Sequence, residues 1–281
     1  MSTLSGTQKG KNHTIFRSNP VLNRLSKITE RSETNSASYR GIALKTTYFL
    51  VITLVGMVAQ LLVMAAMANE PVWQTIEIYD KFTVALTQKE AIIFIVVLLA
   101  GLACELLGIF VRKTVPVTGT LYAASQGYVI SFLVFKVLTG YEYLGLEALL
   151  LTVAVVAGMS YLYSSGIIKV DNKFRTVLLA LLLGSVGVGL FSFLGSLIPA
   201  IRPYVQTMMQ NKAIVIGLDV IGLVIAALFL ISDFSMIDDC VKQHYPKEYE
   251  WSAAFGLVFT VIWIYLKILD LLMQLSDNKK S

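Results

Sequence analysis

Six ionisable residues stand inside otherwise apolar runs of this chain: Glu105, Lys136, Asp219, Asp233, Lys267 and Asp270. A charged side chain in hydrocarbon costs ~3 kcal/mol even on the lower scale, so each is a functional candidate. At ~1.5 Å of rise per residue, Asp219 and Lys267 fall at matching depths on antiparallel neighbouring runs. That placement predicts an ion pair in the outer half of the membrane. Asp270, one turn beyond Lys267, is positioned to share the same cation. The plainer alternative is a paired charge that only fixes helix register. Glu105 and Asp233 belong to the inner half. Asp219 and Asp233 share a helix face, but ~21 Å of helix axis separates them, so they do not titrate as a pair. Asp233 and Glu105 are candidates for a proton-responsive or cation-attracting site at the cytoplasmic mouth. The competing reading makes Asp233 an ordinary interfacial acid followed by Asp238 and Asp239. Lys136, near the outer end of its run, reads as snorkelling to the interface.

The elements that must position these residues follow from composition. Of 281 residues, 56% are hydrophobic and 15% charged, with a mean hydropathy of +0.70; soluble domains carry about 25% charged residues. Seven apolar stretches, at 46–69, 90–111, 117–138, 146–168, 176–199, 213–234 and 251–275, each have the ~20 residues a membrane helix needs. They predict an all-α polytopic membrane protein, a seven-helix transmembrane bundle over 46–275. A polar, basic, cytoplasmic tail over 1–45 precedes it and a short polar C-terminus over 276–281 follows. With the N-terminus inside, fifteen Lys and Arg fall on the inner side and six on the outer, which the positive-inside rule favours. The C-terminus is then outside. The pI near 9.1 belongs to these loops and is no nucleic-acid signal. The lipid bilayer is the first partner.

Enzymatic chemistry finds little support. A serine-type intramembrane protease needs a histidine base in the membrane, but His13 lies in the tail and His244 in a loop. An aspartyl type needs two facing carboxylates, and Asp219 and Asp233 are too far apart on one helix. Cys104 and Cys240 lack His partners and indicate neither metal binding nor nucleophilic work, and with no Gly-Lys-Ser/Thr loop present no cofactor is expected. Gly184, Gly187, Gly189 and Gly195 in the fifth run read as close helix-packing positions. Trp73, Tyr249 and Trp251 read as interfacial anchors.

Particular strings add a resemblance. SDFSMIDD (232–239), PKEYEWSAAFGLVFTVIWIYLKILDLL (246–272), LYAASQGYVIS (121–131), GIIKVDNKFRTV (166–177) and FRSNPVL (16–22) together resemble the Bax inhibitor-1 superfamily, in particular its bacterial YccA-like branch. The resemblance implies six helices around a central seventh in the bacterial inner membrane. It also implies pH-sensitive calcium leak through a pair of aspartates that share a proton, one on each of the last two helices. The first aspartate position is Asp233. The second falls near Thr260, a carboxylate appearing only later as Asp270, and Gln126 stands where an acid is expected. Two readings stay open. Asp233 and Thr260 form a hydrogen-bonded latch on a Ca²⁺ or H⁺ pathway that also uses Glu105. Alternatively, conduction is lost and the protein is a membrane regulator or scaffold that meets membrane proteases or stress-response partners, its tail recruiting them.

Overall fold

The computed structural model describes residues 36–78 and 82–278. Most of the basic tail, with FRSNPVL, and Lys81, Lys279 and Lys280 of the charge count lie outside the described residues.

Ser38, in extended conformation, accepts from the Gly41 N–H through its side chain and starts α1 (Tyr39–Ala66). A hairpin of β1 (Gln74–Ile78) and β2 (Phe82–Leu86), in register Gln74 to Leu86 through Ile78 to Phe82, follows. Thr87 and Glu90 form a reciprocal capping box that opens α2 (Gln88–Phe110), satisfying two of the helix's orphan donors. A 3₁₀ turn over Arg112–Thr114 leads into α3 (Val115–Phe132), with proline in its first turn. A π-helical turn over Leu133–Val137 continues it, the Leu138 N–H reaching back to the Leu133 carbonyl at 3.0 Å. Gly140, at φ +83°, turns the chain into α4 (Tyr143–Ser164). Asp171 caps α5 (Asn172–Leu197). The short α6 (Arg202–Gln210) leads to α7 (Lys212–Lys242), capped by Asn211, and α8 (Tyr249–Asn278) closes the bundle.

The seven long helices correspond one to one with the seven apolar runs, and the protein is an all-α polytopic membrane bundle. By length and composition, six of them are able to cross a membrane. The seventh, α3, is largely buried. The last helix is the central one: half of its apolar window is buried, against 6% in α5, and it packs on α1, α3, α4 and α7.

Three features depart from the sequence reading. The hairpin is one, its pleat turning Phe82, Val84 and Leu86 inward, with the Phe82 ring edge-on to Tyr141 at 5.5 Å. The boundary of α7 is another: the helix runs to Lys242, eight residues past the apolar run that ends at 234. The third concerns the glycines. A Cβ at Gly184, Gly187 or Gly189 would meet nothing within 4 Å, so these do not hold helices together. Gly195 does meet a neighbour, Val205 of α6, but the closest backbone approach is between α1 and α3. There a Cβ at Gly56 would strike the Ala124 carbonyl oxygen, and one at Gly127 the Thr53 carbonyl oxygen. Beside this crossing, Ser131 Oγ donates to Gln60 Oε1 at 2.8 Å, both side chains buried.

Candidate functional site

Asp233 lies within α7, nine residues before its end. It is 0% exposed, near the middle of a packed stretch running from Phe229 to Ile237. From α8, Thr260, itself 1% exposed, places its Oγ1 2.5 Å from Asp233 Oδ2. The same hydroxyl oxygen lies 3.2 Å from the Gly256 carbonyl oxygen one turn earlier.

That arrangement has chemical content. A threonine hydroxyl has one proton to donate and lone pairs to accept with. When Asp233 is ionised, the hydroxyl donates to the carboxylate, and O–H···O⁻ contacts of 2.5–2.7 Å are the strong, charge-assisted kind. When Asp233 is protonated, the hydroxyl rotates to donate to Gly256 and accepts from the carboxylic acid. The same heavy-atom positions thus serve both protonation states, joining the last two helices in each.

Thr260 also faces a cavity of about 400 Å³, whose wall includes Glu105 and Gln126 as well as Tyr122, Phe259 and Trp263. Glu105 from α2, Gln126 from α3 and Thr260 from α8 therefore meet at one space. Asp233 lies directly behind Thr260 rather than in the wall. Gly101, one turn before Glu105, lies so close to Ser125 Oγ that a Cβ there would collide, which brings α2 against α3 at this level. Among the described residues, no group of three or more His, Cys, Asp or Glu is placed to hold a metal ion. Glu105 is the one carboxylate among the described residues in the wall of this cavity.

In the other half of the bundle, Lys267 Nζ donates to Asp219 Oδ1 at 2.8 Å, and Gln274 Nε2 donates to Asp219 Oδ2 at 2.5 Å. Asp219 is buried and Lys267 about one-third exposed at its side chain. Asp270 stands between the two donors on α8, half-buried. Lys136 does not snorkel. Its ammonium donates to Glu90 Oε1 at 2.8 Å, a carboxylate 4% exposed that also closes the α2 capping box. A buried acid within reach is a better partner for the amine than the interface.

Several polar residues at the basic end escaped the sequence reading. Arg175, counted there as an inner-side charge, is buried. It donates to Ser235 Oγ at 3.0 Å and Asp239 Oδ2 at 3.3 Å, tying α5 to α7 just beyond Asp233. Asp238 accepts from Tyr39, Tyr163 and Lys242, joining α1, α4 and α7. Glu250, 0% exposed, pairs with Lys45 and accepts from the Ser38 backbone and hydroxyl. Tyr249 is buried under Arg112 at 3.7 Å and is not an exposed belt residue. Glu90 had a local signal in the Thr87-x-x-Glu90 box and Asp238 in Lys242, four residues on; the other partners are far apart in sequence.

The family model described as Bax inhibitor 1 like matches residues 19–277, and the chain belongs to that family. No curated protein matches it.

Proposed function

We propose that this membrane protein is a passive leak pathway for cations, Ca²⁺ or H⁺, whose flux is tuned by protonation of Asp233. The observation that carries the reading is the Asp233–Thr260 contact. It is a buried carboxylate hydrogen-bonded to a hydroxyl that itself lines the cavity shared with Glu105 and Gln126. Protonation changes which group donates in that bond, and Thr260 transmits the change to the cavity wall. Glu105 supplies the negative charge that attracts a cation to the cavity.

In this reading the protein sits in the cell membrane of a bacterium, in the YccA-like branch of its family. The excess of Lys and Arg at one end supports a cytoplasmic N-terminus and an external C-terminus. A second reading rests on Thr260 itself. A hydroxyl where the family resemblance implies the second aspartate favours a non-conducting regulator that contacts membrane proteases or stress-response proteins. Reconstitution of the purified chain into proteoliposomes with an entrapped calcium indicator separates the two. The leak reading expects flux that varies with pH and loses that variation in Asp233→Asn. Absence of pH-dependent flux, with Asp233→Asn indistinguishable from wild type, rejects it in favour of the regulator.

A further inference from the structure

At the basic end of the bundle, three separate segments converge on an open cleft of about 550 Å³ lined by Lys45, Arg112, Lys113, Lys247, Glu248 and Trp251. Lys45 comes from α1, Arg112 and Lys113 from the turn between α2 and α3, and the rest from the start of α8 and the loop before it. The cleft lies where spanning helices begin and end, at the level where lipid headgroups meet water. We propose that this cleft binds the phosphate headgroup of an anionic glycerophospholipid.

Charge carries the first part of the argument. Two acids oppose the four cations: Glu250, buried and paired with Lys45, and Glu248, 3.8 Å from Arg112. Two positive charges remain in surplus, and Lys113 and Lys247 are both exposed with no acidic partner within 4 Å among the described residues. Basic pockets between membrane helices at the cytoplasmic surface suit anionic headgroups, whose phosphates they meet at the depth of the membrane surface.

Rigidity carries the second part. The Trp251 ring is held edge-on by Tyr48 and Phe49, each at 5.7 Å, with the Lys45 ammonium 5.3 Å from the ring centroid. An indole fixed at a span end is the usual marker of the headgroup level. Arg112 is likewise stacked on Tyr249, so part of the cationic wall is pre-organised, which lowers the entropy lost on binding. The third part is the surface beside the cleft. Leu44, Phe110 and Val117, each within two residues of a lining residue, are 62–66% exposed and offer apolar surface for the acyl chains of a lipid whose phosphate sits in the cleft. A free phosphate ion would make no use of that surface.

The test uses the full chain in detergent, challenged with phosphatidylglycerol, with phosphatidylcholine or with sodium phosphate, and bound species counted by native mass spectrometry. Phosphatidylglycerol is expected to be retained in preference to phosphatidylcholine. The double variant Lys113→Gln/Lys247→Gln is expected to weaken retention ~25-fold, about fivefold for each surface cation. Lys113→Arg/Lys247→Arg should restore it, and both positions are exposed, so folding is not at stake. Lys169→Gln/Lys173→Gln, which removes two exposed cations at the start of α5 and the loop before it, should leave retention unchanged. Equal retention of phosphatidylcholine, or an equal loss in the Lys169/Lys173 variant, overturns the site. Inorganic phosphate binding as tightly as phosphatidylglycerol overturns the lipid as its ligand.

Discussion

Replacing Lys267 with methionine removes the cation from a carboxylate that is 7% exposed and held by two donors, Lys267 at 2.8 Å and Gln274 at 2.5 Å. Breaking a fully buried ion pair by deleting one partner costs about 3–5 kcal/mol, because the other charge is left without compensation. Two features reduce that figure here. The Lys267 side chain is 31% exposed, so part of the attraction is screened, and Gln274 continues to satisfy one carboxylate oxygen. The expected loss is therefore about 1–2 kcal/mol. Asp219→Asn should cost a similar amount, since the ammonium then loses its charged acceptor. The double variant should lose less than the sum of the two by about 1 kcal/mol, the interaction energy that contacting residues show in a double-mutant cycle. Equilibrium unfolding in mixed detergent–SDS micelles measures all four proteins. Losses that add to within ~0.3 kcal/mol would refute the pairing, because groups that touch do not behave independently. Asp219 lies ~21 Å along α7 from Asp233, so any pH-dependent flux should keep its wild-type profile in Lys267→Met.

Other outcomes follow from the packing. Gly127→Leu drives a side chain into the Thr53 carbonyl oxygen at the α1–α3 crossing and should cost ~3 kcal/mol or prevent folding. Gly187→Leu, in open space, should change stability by less than ~0.5 kcal/mol; thermal unfolding of the detergent-solubilised chains compares them. Lys136→Ala leaves the buried Glu90 carboxylate without its cation. It should expose the hairpin between α1 and α2 to limited proteolysis several times faster than in the wild type.

The long helices were legible because hydrocarbon demands about 20 apolar residues per crossing, and no packing detail alters that. Asp219 and Lys267 could be matched by depth for the same reason, as a rigid rise per residue turns sequence position into height. Rotation about the helix axis is not encoded so simply. Which glycines face a neighbour is a question of rotation, so of the four read as packing residues Gly195 meets a neighbour and Gly187 does not, while backbone-to-backbone approaches fall at Gly56 and Gly127. The end of α7 was misplaced because Asp233, Asp238 and Asp239 look like the end of an apolar run. Apart from Lys242, four residues beyond Asp238, their partners are Thr260, Tyr39, Tyr163 and Arg175, on other helices and far away in sequence. Lys136 was misread because its partner, Glu90, sits at the start of a run, where an acid is unremarkable. The hairpin was passed over because five residues of alternation, Phe82–Leu86, are too short to stand out between two long helices.

In the proposed leak pathway the hydroxyl of Thr260, rather than its size or shape, couples the protonation of Asp233 to cation flux. The most direct measurement is the pH profile of calcium flux in proteoliposomes for wild type, Thr260→Ser and Thr260→Val. Serine keeps the hydroxyl, and its profile should overlay the wild type. Valine keeps the shape and removes a hydrogen bond that is stronger to the carboxylate than to the carboxylic acid by about 1 kcal/mol, so its midpoint should move by about 0.7 pH unit. A valine profile that coincides with the wild type, or a serine profile displaced as far as that of valine, would contradict the account.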